Sequence, residues 1–79
     1  MKYIVEAFGK YTEFLDFEID IPEGHDERLA GIMGWSEPQR GDEGYDLNAT
    51  QIAAIEGLVG RRFYDENHIF QLSCNVVDR

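Results

Sequence analysis

From Leu15 to Ile21 the chain reads LDFEIDI, with Leu15, Phe17, Ile19 and Ile21 alternating with Asp16, Glu18 and Asp20. Successive side chains of a strand point to opposite faces. A strand of this sequence therefore carries an apolar face and a face of carboxylates. The apolar face needs a second layer to cover it, so the chain must supply other elements that pack there.

The flanking segments supply them. Lys2 to Phe8 (KYIVEAF) is rich in β-branched and aromatic residues and reads as a first strand. Ile4 and Phe8 lie on one of its faces, and Tyr3, Val5 and Ala7 on the other. Gly9 to Thr12 is the turn, and so short a link predicts an antiparallel hairpin. Pro22 and Gly24 end the second strand. Asp26 is placed to cap a helix over ERLAGIMG, with Leu29, Ile32 and Met33 on one face and Gly34 as its stop. Ser36 to Asp46 reads as a loop. A second helix follows, capped by Asn48 or Thr50. Asn48 with Gln51 resembles a capping box, and Ile52, Ile55, Leu58 and Val59 form the apolar stripe. Gly60 fits its C-terminal end, and Arg61 and Arg62 suit the negative end of its dipole. The last strand is HIFQLSCNV, His68 to Val76.

The expected fold class is thus α+β, in one domain over residues 1–79 with the order β-β-α-α-β. It is a two-layer sandwich in which a three-stranded antiparallel sheet has two helices on one face. The helices cover the face with Leu15, Phe17, Ile19, Phe70 and Leu72. The other face carries Asp16, Glu18, Asp20, Gln71, Ser73 and Asn75.

Charge narrows the function. Sixteen acidic residues stand against seven basic ones, a formal net charge of −9. Between Tyr11 and Gln39, Arg28 alone opposes eight carboxylates. Such a field disfavours nucleic acid and anionic membranes as partners and favours a basic protein. The N-terminal MKYIVEAFGKYTE holds no apolar block of signal-peptide length, and no run suits a membrane span, so a cytoplasmic setting is expected.

Chemistry-bearing patterns are weak. Cys74 is the chain's one cysteine and lies in an alternating apolar strand, where an inert buried thiol is expected. Asp16-x-Glu18-x-Asp20 has the start of a calcium loop, but Ile21 stands where that loop needs glycine. His25 and His68 start no zinc pattern and read as turn or surface residues. Ser36 and Ser73 lack a nucleophile context, and the glycines match no phosphate loop. The expectation is a protein that is not an enzyme and uses no metal or cofactor.

MKYIVEAFGKYTEFLDFEIDIP as an opening hairpin, the capped helix YDLNATQIAAIEGLVG and the F-x-L of HIFQLSCNV together span most of the chain. In these features the chain resembles the small acidic immunity proteins of bacterial toxin systems, including those of contact-dependent growth inhibition. The resemblance implies a cytoplasmic protein that binds one cognate toxin domain, often a basic nuclease, and blocks its active site or substrate path. A nuclease holds phosphates with cationic side chains, and a carboxylate face can occupy them instead.

From the charge pattern of the surface, and apart from the resemblance, Asp16, Glu18 and Asp20 are the expected toxin-binding residues. Glu23 and the loop acids Asp42, Glu43 and Asp46 extend that surface, with Trp35 or Tyr45 as aromatic anchor. The alternative is a nucleic-acid mimic or regulator that binds a host basic protein. The apolar second face of the first strand can also support a homodimer.

Overall fold

The computed structural model describes residues 2–36 and 44–75. Its elements are β1 (Lys2–Gly9), β2 (Leu15–Asp20), α1 (Asp26–Met33), β3 (Gly44–Asp46), α2 (Ala49–Val59) and β4 (His68–Asn75). The fold is α+β, with two helices and an antiparallel sheet. Among the described residues the sheet has four strands in the order β2-β1-β4-β3. The three-stranded expectation is corrected by β3, three residues at the end of the segment expected to be loop. Gly44, Tyr45 and Asp46 pair with Ser73, Leu72 and Gln71 on the outer edge of β4. So short a strand has no periodicity of its own, and the unpaired backbone of β4 gives it a partner.

The first two strands form the expected hairpin, and β1 then serves as a central strand between β2 and β4. Gly9 sits where the chain turns tightly. A Cβ there would lie 2.5 Å from Thr12 Oγ1. The turn closes through Gly9 N–H to Phe14 O and Glu13 N–H to Gly9 O, with Glu13 at φ 64°.

One core gathers Tyr3, Val5, Ala7, Ile19, Phe70, Leu72 and Cys74 from the sheet with Leu29 from α1 and Ile52 and Ile55 from α2. The sheet residues among them are the alternate positions of β1, β2 and β4, which share one face. Leu15 departs from the expectation. It is 45% exposed and pairs with Phe8, on the opposite face from Phe17 and Ile19. The cause is a register shift between Ala7 and Phe8. Ala7 faces Phe17 and Phe8 faces Leu15, so Asp16 is the extra residue of a β-bulge and the alternation changes side there.

Helix α2 begins at the expected capping box. Asn48 Oδ1 accepts from Gln51 N–H at 2.8 Å, and Gln51 Oε1 accepts from Asn48 N–H at 3.0 Å. Gly60 ends it in the left-handed conformation, φ 77°. Arg61 and Arg62 follow the helix as exposed residues. Helix α1 has His25 at its N-cap with no side-chain cap bond, and Asp26 is its first residue. Gly34 closes it at φ 71°. Among the described residues no helix is long and apolar enough to cross a membrane.

Candidate functional site

The sheet face opposite the core is organised in rows that run across the strands, because residues paired in register share a face. One row is Glu18, Glu6, Gln71 and Asp46, one residue from each of β2, β1, β4 and β3. Beside it lies the row Asp20, Ile4, Ser73 and Gly44. On its other side lies an apolar row, Leu15, Phe8 and Ile69.

The acidic row concentrates charge. Glu6 and Glu18 stand directly opposite each other, and neighbouring strands are about 4.8 Å apart. Like charges in such a pair destabilise a sheet. Glu18 and Asp46 are exposed and Glu6 is half-buried. Asp46 is held by Gln71, whose Nε2 donates to Asp46 Oδ1 at 3.0 Å. Asp20, at the edge of the next row, lies 4.0 Å from Lys2 Nζ in an exposed pair. A pair of that kind contributes little stability.

The nominated residues separate in the structure. Glu18, Asp20 and Asp46 share the acidic face. Glu23 lies beyond the end of β2, where it helps to line a cavity of about 370 Å³ with Lys2, Asp20 and Asp26. Asp42 and Glu43 lie outside the described residues. Trp35 and Tyr45 pack inward on the core side. Trp35 packs in tilted contact 6.0 Å from Tyr3 and 5.2 Å from Tyr45, centroid to centroid, and Trp35 and Tyr45 are only part-exposed. Tyr45 is paired with Leu72, a core residue of β4.

Asp16 leaves the row, which corrects its placement beside Glu18 and Asp20. The bulge re-aims it toward the turn end of the hairpin, where Asp16 Oδ2 lies 2.7 Å from His68 Nε2. The other ring nitrogen, Nδ1, lies 2.6 Å from Asp65 Oδ1. An ionised carboxylate only accepts hydrogen bonds, so a histidine bonded on both sides carries both N–H groups and a positive charge. Asp65, first, and Asp16 hold the His68 pKa above its ordinary value, and His68 holds that of Asp65 below its own. The imidazole is 16% exposed and packs edge-on to Phe17, with ring centroids 5.2 Å apart. This is a paired histidine that reaches from β4 past the Gly9 end of β1 to β2, not the turn or surface residue expected.

Beyond the nominated residues this face holds Glu6, Leu15 and Ile69, together with Phe8, which the sequence offered only as part of a dimer surface. Phe8, Gly9, Glu13, Ile69 and Gln71 line an open cleft of about 280 Å³ next to the acidic row. Ile69 is 49% exposed, and the hairpin tip beside it exposes Tyr11 and Phe14. The half-apolar second face of the first strand, Ile4 and Phe8, was the available signal. The bulge that adds Leu15 to it had none. Among the described residues no group of three or more metal-ligating side chains is positioned to hold a metal ion.

A comparison with curated proteins finds no match. Residues 2–73, nearly the whole chain, match a domain of unknown function, DUF7683. The chain belongs to that family.

Proposed function

We propose that this DUF7683 chain is a binding protein that neutralises a cognate bacterial toxin domain, as an immunity protein does, through the exposed face of its sheet. In this reading the fold is a two-layer sandwich, both helices lie on the core side, and the opposite face is left for a partner. The toxin domain is basic, in keeping with a nuclease, and the protein acts in the cytoplasm without catalysis.

The observation that carries the reading is the row Glu18–Glu6–Gln71–Asp46. Facing carboxylates on neighbouring strands cost the free domain stability. A cationic surface would offset that cost on binding and would be steered to the row by its field. A purely structural sheet surface gains nothing from facing Glu6 with Glu18.

The test is growth protection. The chain is co-expressed with the product of the adjacent reading frame in a host that the latter arrests. Growth is expected to recover, and the two proteins to co-purify. The double variant Glu6→Lys/Glu18→Lys, checked for folding by circular dichroism, is expected to abolish both effects. Protection that survives this reversal places the interface elsewhere. The absence of any protection or complex with the unmodified chain removes the toxin reading.

A further inference from the structure

Resting on the reading of this face as the site for a basic partner, we infer that recognition there has two parts. The apolar row Leu15–Phe8–Ile69, with its cleft, seats an apolar side chain of the partner. The acidic row beside it pairs with lysines or arginines that flank that side chain.

Three observations converge on this. First, the apolar row is exposed where a free domain gains nothing from exposing it. Leu15 and Ile69 are 45% and 49% accessible although they flank the same central strand. Second, the cleft between Phe8 and Ile69 is walled by Glu13 and Gln71, so an apolar group seated there has polar groups at its rim. Apolar centres with polar rims are the usual anatomy of protein interfaces. Third, the charge fixes the kind of occupant. A second copy of this chain, also at −9, would bring Glu6, Glu18 and Asp20 against the same carboxylates. A cationic surface has the complementary sign.

The geometry sets the spacing. Adjacent same-face positions along a strand are about 7 Å apart. The partner's cation and apolar side chain must therefore be separated by about that distance. A face built of strands of eight, six, eight and three residues is roughly 400 Å², below the ~800 Å² that each side of a standard interface buries. The hairpin tip with Tyr11 and Phe14 adjoins the cleft and extends the contact.

The test uses the intact chain and two fluorescein-labelled synthetic peptides of equal positive charge. One alternates lysine with leucine, and the other alternates lysine with serine. Anisotropy titrations are run at low and physiological salt on the unmodified chain, on Leu15→Ser/Ile69→Ser and on Glu6→Gln/Glu18→Gln. Both double variants alter exposed or half-exposed positions, and circular dichroism verifies their folding.

The leucine peptide is expected to bind at least about tenfold tighter than the serine peptide, the scale that burying one aliphatic side chain supports. Leu15→Ser/Ile69→Ser should erase that preference and keep the weak, salt-sensitive binding of both peptides. Glu6→Gln/Glu18→Gln should weaken both. Equal binding of the two peptides, or a preference that survives Leu15→Ser/Ile69→Ser, overturns the apolar seat and leaves the basic-partner reading standing. Failure of both peptides at low salt overturns both readings. A dimer in sedimentation that Leu15→Ser/Ile69→Ser dissociates makes a second copy the occupant and overturns the proposal.

Discussion

His68 shows how one side chain can join parts of a chain that its sequence keeps apart. It lies 52 residues from Asp16, yet its ring bridges Asp16 on β2 to Asp65 before β4. Its pKa is raised from 6.5 and that of Asp65 is lowered from 3.8. The raised histidine contributes stability that is fully present below about pH 6.5 and is lost as pH rises through its folded value. The depressed carboxylate contributes stability that is present above about pH 3.8 and is lost as pH falls through its folded value. The stability difference between the unmodified chain and His68→Asn should therefore be largest between those limits and shrink on both sides. Urea denaturation from pH 3 to pH 9 measures it, and a difference that grows above pH 8 would contradict the bridge. Glu56 performs a second tie. Its Oε2 accepts from Phe63 N–H at 2.8 Å and Tyr64 N–H at 3.0 Å, and these bonds lower its pKa, that of Tyr64 most. Glu56→Ala should cost about 1–3 kcal/mol, because two backbone donors lose a charged acceptor.

Each helix depends on a few positions that can be tested singly. The Asn48 and Gln51 side chains satisfy backbone donors at the start of α2, so Asn48→Ala should lower stability by about 1 kcal/mol. Ile55 is fully buried where α2 meets the core, and Ile55→Ala should cost about 2–5 kcal/mol. Chemical denaturation reads both, and an Ile55→Ala cost near that of Asn48→Ala would show that the helix is not seated as described. These two features were legible in the sequence, since a capping box and an apolar stripe are local patterns. The hairpin was legible for the same reason. The strand β3 was not, because Gly44, Tyr45 and Asp46 become a strand only by pairing with β4. Nor was the bulge at Asp16. A period-two pattern shows which residues alternate but carries no mark of where a neighbouring strand slips by one position.

At the scale of the whole molecule, charge and shape act together. A body of 33 × 25 × 20 Å with a formal charge of −9 has a strong negative field, to which the acidic row contributes on one sheet face. Association with a basic partner should slow steeply as salt rises from about 50 mM to about 500 mM, as the Debye length shortens. Stopped-flow mixing measures the rate. The Leu15→Ser/Ile69→Ser variant should keep that dependence and mainly speed dissociation, because apolar contacts act after encounter. A variant with slower association and unchanged dissociation would argue against the division of roles between the two rows.

Neighbouring residues in the chain were enough to mark β1, β2, β4 and the two helices, the capping of α2 and the overall charge. These follow from periodicity and composition, which are properties of neighbours in the chain. Tertiary structure decided which carboxylates stand together. It set Glu6 against Glu18, brought Asp46 into their row through a fourth strand, and sent Asp16 away to His68. It also turned Trp35 and Tyr45 toward the core and brought Leu15 beside Phe8 and Ile69 on the exposed side. The physical reason is register: a one-residue slip between strands reverses the face of every side chain beyond it, and only the pairing of segments distant in sequence fixes where that slip occurs.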